Sequence, residues 1–277
     1  MTNTFQTAPT KSISVNGASF VYREFGKRGG IPLVFLHHLT AVLEDWDPRL
    51  LDGLAATHHV VIFDNRGVGA STGLTPISVQ DMADDAISFI AALGFNKVNL
   101  FGFSLGGFVA QAIVHRNPDL VERLVLTGTG PAGGEGIERV ASVLQDALVK
   151  AKASGKHPKH FLFFAQNGDG QKACDDFLAR LNQRIEDRDS AVSDETIVAQ
   201  LAAIHSWGTG PETSLEMVRH PVLVANGDDD VMVPTVNTVE LARRLPNSRL
   251  SIFPSAGHGG VFEHHAFIGQ TLAFLEG

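Results

Sequence analysis

The chain has 277 residues, 44% hydrophobic and 19% charged, enough for a large buried core in one or two domains, so disorder is not the expected state. A net charge of −8 without any Lys/Arg block leaves no electrostatic counterpart for nucleic acid or an anionic membrane surface, and points to small-molecule partners. The single cysteine, Cys174, excludes an intramolecular disulfide; no apolar run approaches the roughly 20 residues of a membrane span, and the start "MTNTFQTAPTKSISV" lacks a secretory signal, so a cytoplasmic location is expected.

In chain order, Ala18 to Phe25 reads as a strand after the turn at Asn16-Gly17. Continuous apolar runs follow at Pro32 to His37, Val60 to Asp64, Val98 to Phe103, Leu124 to Thr127, Val222 to Asn226 and Leu250 to Phe253. Runs of this kind suit strands covered on both faces, as in a mostly parallel sheet. Between them lie helical patterns: Ser78 can cap a helix with Val79, Met82, Ala83, Ala86, Ile90 and Leu93 on one face, stopped by Gly94. Phe108/Ala112 and Val109/Ile113 carry the same spacing, as do Ile268, Leu272 and Leu275 near the C-terminus. Alternating strand and helix argue an α/β fold with right-handed crossovers.

From Pro131 to His220 the strand runs disappear. Three amphipathic helices are legible instead, on Ile137/Val140/Leu144/Leu148, Cys174/Phe177/Leu178/Leu181/Ile185 and Ile197/Leu201/Ile204. The expected organisation is an α/β core of residues 1–132 and 211–277 with an all-helical cap of residues 133–210 inserted, flanked by flexible joints at Gly133-Gly134 and Gly208-Thr209-Gly210-Pro211.

One strand-to-helix junction carries chemistry. In Gly102-Phe103-Ser104-Leu105-Gly106 the glycines two before and two after the serine permit a tight turn where side chains have no room. Ser104 is expected at the exposed tip of this nucleophile elbow. The Leu105 N–H, at the start of the following helix, has no intrahelical acceptor and can face an oxyanion. A dinucleotide fingerprint does not fit, because Ser104 occupies the second glycine position and Gly67-Val68-Gly69-Ala70-Ser71-Thr72 lacks the third glycine.

Together with "GFSLGG", the segments "LVFLHHLTAVLEDW", "VVIFDNRGVGAS", "ERLVLTGTG", "VLVANGDDDVMVP" and "FPSAGHGGVFEHH" occur in an order that resembles the α/β-hydrolase superfamily over nearly the whole chain. The resemblance implies an α/β-hydrolase fold, a mostly parallel central sheet flanked by helices, and a Ser-His-Asp catalytic triad in the chain order nucleophile, acid, base. Ser104, Asp230 and His258 fit that order. Among Asp228, Asp229 and Asp230 the last matches the family's Gly-x-x-Asp spacing, and the other two are expected as solvated turn residues. The family usually has glycine at position 38, where this chain has histidine, with the next residue, Leu39, donating the second oxyanion-hole N–H beside Leu105. His38 shapes that loop or faces the pocket as a polar substrate contact. Asp64-Asn65-Arg66-Gly67 is expected to brace a loop under the site. His58-His59 and His264-His265 lack metal-ligand spacing and are expected at the surface, so neither a metal nor another cofactor is implied.

A serine nucleophile limits the chemistry to acyl transfer, since an alkylated serine would be an ether and could not turn over. The family's dehalogenases and epoxide hydrolases use aspartate at this position, and the only tyrosine, Tyr22, lies in the first strand region. "GFSLGGFVAQAIVHRNPDLVERLVL" most resembles bacterial carboxylesterases and 3-oxoadipate enol-lactonases, which implies a serine esterase or lactonase acting on a small acyl substrate. C–C bond hydrolysis, acyl transfer and a ligand-binding receptor on the same scaffold are the alternatives. Phe163 and Trp207, from two aromatic stretches of the helical insertion, are expected to line the substrate pocket beside His38.

Overall fold

The computed structural model describes residues 4–277. Eight strands form one sheet: β1 (Lys11–Val15), β2 (Ala18–Gly26), β3 (Leu33–Leu36), β4 (His59–Phe63), β5 (Val98–Phe103), β6 (Val121–Thr127), β7 (Val222–Gly227) and β8 (Ser248–Phe253), in the order β1-β2-β4-β3-β5-β6-β7-β8. The β1-β2-β4 pairings are antiparallel and the remainder parallel. β3, β4, β5 and β7 are buried at every residue, which is why each reads as an unbroken apolar run. β1 escaped that pattern because three of its five residues are exposed at the sheet edge.

The helices are α1 (Pro48–Ala55), α2 (Val79–Ala92), α3 (Leu105–Arg116), α4 (Val140–Ser154), α5 (Lys159–Leu162), α6 (Gly168–Leu181), α7 (Asp194–Thr209), α8 (Val236–Arg244), α9 (Gly260–Glu263) and α10 (Ala266–Glu276). The Ser78 hydroxyl accepts the Asp81 N–H at 3.1 Å to start α2, and Gly94, at φ 80°, follows its end. At α1 the Asp47 carboxylate accepts the Arg49 N–H and also receives a bidentate Arg180 pair at 2.9 and 2.8 Å, fastening α6 to the core.

Four helices, α4 to α7, lie between β6 and β7. The third expected pattern matches α7, but Ile185 falls beyond α6 and is 84% exposed. The chain leaves the helix so that Arg184 can reach the Phe5 and Gln6 carbonyls, and Ile185 is turned outward. The entry and exit of the helical segment lie side by side: the Gly133 N–H donates to Trp207 O at 2.9 Å, one residue before the Gly208-Thr209-Gly210-Pro211 stretch.

Several polar side chains sit inside this frame. Trp46 Nε1 donates to His37 Nδ1 at 2.7 Å, so the neutral ring carries its proton on Nε2, 3.4 Å from Asp64 Oδ1. Burial pushes His37 down to about 4, against the nearby Asp45 and Asp189 charges. Burial, together with a hydrogen bond and charge from Asp189, raises Asp64 well above the usual carboxyl range. Arg66 pairs with Asp85 of α2 at 2.7 Å, and Thr196 of α7 donates to Gly67 O at 2.7 Å, so this stretch is tied to two helices. His59 is not at the surface: it is buried and lies 2.9 Å from Glu24, because the sheet carries it inward.

The depressed His37 value has a stability consequence. The unfolded chain protonates this ring near pH 6.5 and the folded protein only near pH 4, so its contribution is fully present above about 6.5 and is lost as pH falls. In urea denaturation, the stability gap between wild type and His37→Asn should shrink by about 1.4 kcal/mol per pH unit between those values. A gap independent of pH would show that the folded ring protonates as readily as the unfolded one.

Candidate active site

The site begins at the β5–α3 junction. Ser104 has φ 56° and ψ −119°, a conformation L-residues rarely adopt. Its N–H donates to Thr127 O at 2.9 Å, and its carbonyl accepts from the Thr129 hydroxyl at 2.9 Å, so β6 and the loop after it hold the turn from one side. The glycines answer to crowding: a Cβ at Gly106 would collide with the Leu36 carbonyl, and one at Gly102 would lie 2.5 Å from Gly106 O. Ser104 is not exposed as expected from the turn alone. It is only 5% accessible, because helices from the segment between β6 and β7 roof over it.

The three candidate acids separate by environment. Asp228 and Asp229 are exposed, whereas Asp230 is 7% accessible. Its Oδ1 accepts the Met232 and Val233 N–H groups at 2.8 and 2.9 Å, and its Oδ2 accepts from Asn226 Nδ2 at 2.9 Å. The same Oδ2 lies 2.7 Å from His258 Nδ1. Since the carboxylate accepts, Nδ1 carries the proton and the neutral ring presents a lone pair at Nε2. That nitrogen is buried without a hydrogen-bond partner among the described residues. Phe103 and Phe163 flank the ring, with centroids 4.9 and 5.4 Å away.

Ser104, His258, His38, Leu39 and Phe163 line one cavity of about 430 Å³. Most of the other lining residues come from the helical segment, among them Leu144, Leu148, Leu162 and Ile197. The Leu39 and Leu105 N–H groups have no acceptor among the described residues. His38 needs no left-handed backbone here; Thr40, at φ 63°, takes the sharp bend, aided by Gln200, whose side-chain oxygen accepts the Thr40 N–H at 2.8 Å. The His38 ring packs edge-on against Phe103 and Phe163, centroids 5.1 and 5.2 Å apart.

Trp207 does not belong to this cavity. Its ring stacks on Phe108 at 5.4 Å and its Nε1 donates to Gly130 O at 3.3 Å, so it joins α7 to α3 and borders a separate surface hollow. Aromatic content alone cannot distinguish an inter-helix contact from a pocket wall. Asp45 and Lys159, which do line the cavity, passed unnoticed in the sequence; their ion pair of 2.6 Å joins residues too far apart in the chain for any spacing rule.

Comparison with known proteins agrees with this architecture. The model of the alpha/beta hydrolase fold family matches residues 31–265. An alpha/beta hydrolase fold protein from Chitinophaga pinensis superposes with a TM-score of 0.94 at 37% identity, covering 99% of both chains. The enol-lactonase from Burkholderia xenovorans LB400 shares the fold at a TM-score of 0.75 and 22% identity, over 96% of this chain and all of that one. In sequence, the protein named "Putative carbamate hydrolase RutD" from Caulobacter sp. (strain K31) is 30% identical over 84% of this chain and 85% of its own length. With a family model spanning most of its length, the chain belongs to the α/β-hydrolase fold family and is a hydrolase by that membership.

Proposed function

We propose that this hydrolase cleaves a small carboxylic ester or lactone through an acyl-enzyme intermediate formed on Ser104. The observation that carries the reading is the His258–Asp230 contact of 2.7 Å at a cavity that also holds Ser104. His258 Nε2 takes the Ser104 proton as the oxygen attacks the carbonyl carbon, and Asp230 holds the ring in the tautomer that can accept it. The Leu39 and Leu105 N–H groups receive the developing oxyanion. Collapse expels the alcohol, which takes the proton from His258. Water then attacks the acyl-serine with the same base assisting, and the acid leaves with Ser104 restored.

The helices of residues 133–210 act in this reading as a cap that excludes water and shapes the acyl pocket. The relative named as a carbamate hydrolase supports a second substrate class, because a carbamate presents the same kind of carbonyl to the serine. Hydrolysis of a carbamate releases an amine and carbon dioxide rather than a carboxylic acid, so product analysis separates the two.

Ser104→Ala should lower kcat on short-chain p-nitrophenyl esters by at least about four powers of ten, with a melting temperature close to wild type. Retention of a tenth of the activity would sink the assignment. Asp230→Asn should cost about four powers of ten, while Asp228→Asn and Asp229→Asn stay within a factor of a few. The reverse pattern would move the acid.

Phe163→Ala should change the ratio of kcat/KM between small and bulky acyl esters. Trp207→Ala should leave that ratio unchanged and lower stability by about 3–5 kcal/mol, as loss of a buried aromatic does. A selectivity change in Trp207→Ala alone would place specificity outside the described cavity.

A further inference from the structure

The cavity above Ser104 is apolar over most of its wall, but one side is not. There Lys159 of α5 places its ammonium 2.6 Å from Asp45 Oδ1, in the turn after β3, and the two side chains are only 12% and 20% exposed. An ammonium has three donors. Asp45 Oδ1 is the only hydrogen-bond acceptor of Lys159 Nζ among the described residues, which leaves two N–H groups without a protein oxygen or nitrogen to receive them, beside the face of the Phe163 ring. Donors in so little-exposed a position are best satisfied when a ligand or water supplies acceptors.

Asp45 is already engaged, with Oδ1 on Lys159 and Oδ2 on the Val42 N–H at 3.1 Å. Burial pushes its carboxyl up, but Lys159, His38 and the hydrogen bond from the Val42 N–H together outweigh burial and hold it at about 2. Asp45 is therefore ionised at working pH and neutralises the ammonium beside it. His38 adds an acceptor to the same cavity. Burial and the Lys159 charge keep its ring neutral, with a value of about 3, and Nδ1 must donate to the Leu39 carbonyl at 2.8 Å. Nε2 is then a lone-pair acceptor, buried and unpartnered among the described residues.

We propose, resting on the serine-hydrolase reading, that Asp45, Lys159 and His38 form a specificity subsite for an uncharged hydrogen-bonding group, a ketone or amide, carried by the substrate beside its scissile bond. A ketone or amide oxygen satisfies the idle Lys159 donors, and an amide N–H also meets His38 Nε2. A carboxylate would gain Lys159 but face Asp45 at similar range, and the two effects offset each other. A hydrocarbon tail would displace water from donors and acceptor and return nothing. Phe163 sets the distance: its ring centroid lies 5.6 Å from Lys159 Nζ and 5.4 Å from the His258 ring, so one aromatic ring separates the subsite from the base.

The test uses two matched series of esters, varied in the acyl or in the alcohol half, each ending in alkyl, methyl ketone, primary amide or carboxylate, with turnover followed by proton release. In at least one series wild type should prefer the ketone or amide by about tenfold in kcat/KM over both alkyl and carboxylate. Lys159→Met should abolish the preference over alkyl. Asp45→Asn, which leaves the ammonium unneutralised, should shift the balance about tenfold toward the carboxylate ester. Labelling with a fluorophosphonate reports the reactive serine in each protein. Failure of wild type to label overturns the serine reading itself. Labelling with the same order of preference in wild type and both variants, or a wild-type preference for alkyl or carboxylate in both series, overturns the subsite alone.

Discussion

A single backbone turn, at Ser104, is the constraint on which the rest of this molecule depends. Its positive φ costs on the order of 1–3 kcal/mol and persists only because the surroundings leave no alternative. Gly106 lies so close to the Leu36 carbonyl that the start of α3 is pressed against the end of β3, while Thr127 and Thr129 grip the serine backbone from the β6 side. The ends of three neighbouring strands thereby converge on one residue. Their burial supplies the free energy that holds a strained residue in place.

The two adjacent histidines show how the same neighbourhood uses a polar group in two ways. His37 turns into the core, where Trp46 donates to its Nδ1 and Asp64 lies 3.4 Å from its Nε2, while His38 lines the cavity with Nδ1 spent on Leu39 and Nε2 open toward the cavity. Burial keeps both rings neutral, at about 4 and about 3. Around them Trp46, Phe103 and Phe163 exclude water, and an environment of that kind strengthens a hydrogen bond such as that between His258 and Asp230. The helical segment is fastened over this aromatic floor by polar ties, Arg180 to Asp47, Lys159 to Asp45 and Thr196 to Gly67, as well as by Trp207 on Phe108.

Much of this was legible in the chain because burial leaves a local mark. Strands covered on both faces appear as apolar runs, and Ser78 and Gly94 bracket α2 as capping chemistry requires. The elbow glycines were legible for the same reason: a backbone that approaches another backbone admits no Cβ. Edge strand β1 and the short α5 were not, since five half-exposed residues or four helical ones carry too little periodicity. Ile185 and His59 went astray because exposure follows from what packs opposite. An apolar residue is turned outward when Arg184 needs the inside, and a histidine is drawn in when Glu24 is there to meet it.

The sequence by itself determined the alternation of strand and helix, the place of the helical insertion and the serine elbow, because each depends on residues within a few positions of one another. Only the tertiary structure decided that Phe163 faces the cavity while Trp207 faces α3, and that Ser104 lies under a roof; it also brings to His258 the aspartate that the Gly-x-x-Asp spacing had singled out, Asp230. It alone brought Asp45 to Lys159. These are contacts between segments far apart in the chain, and their strength comes from the water excluded around them, which no spacing of residue types along a single strand or helix records.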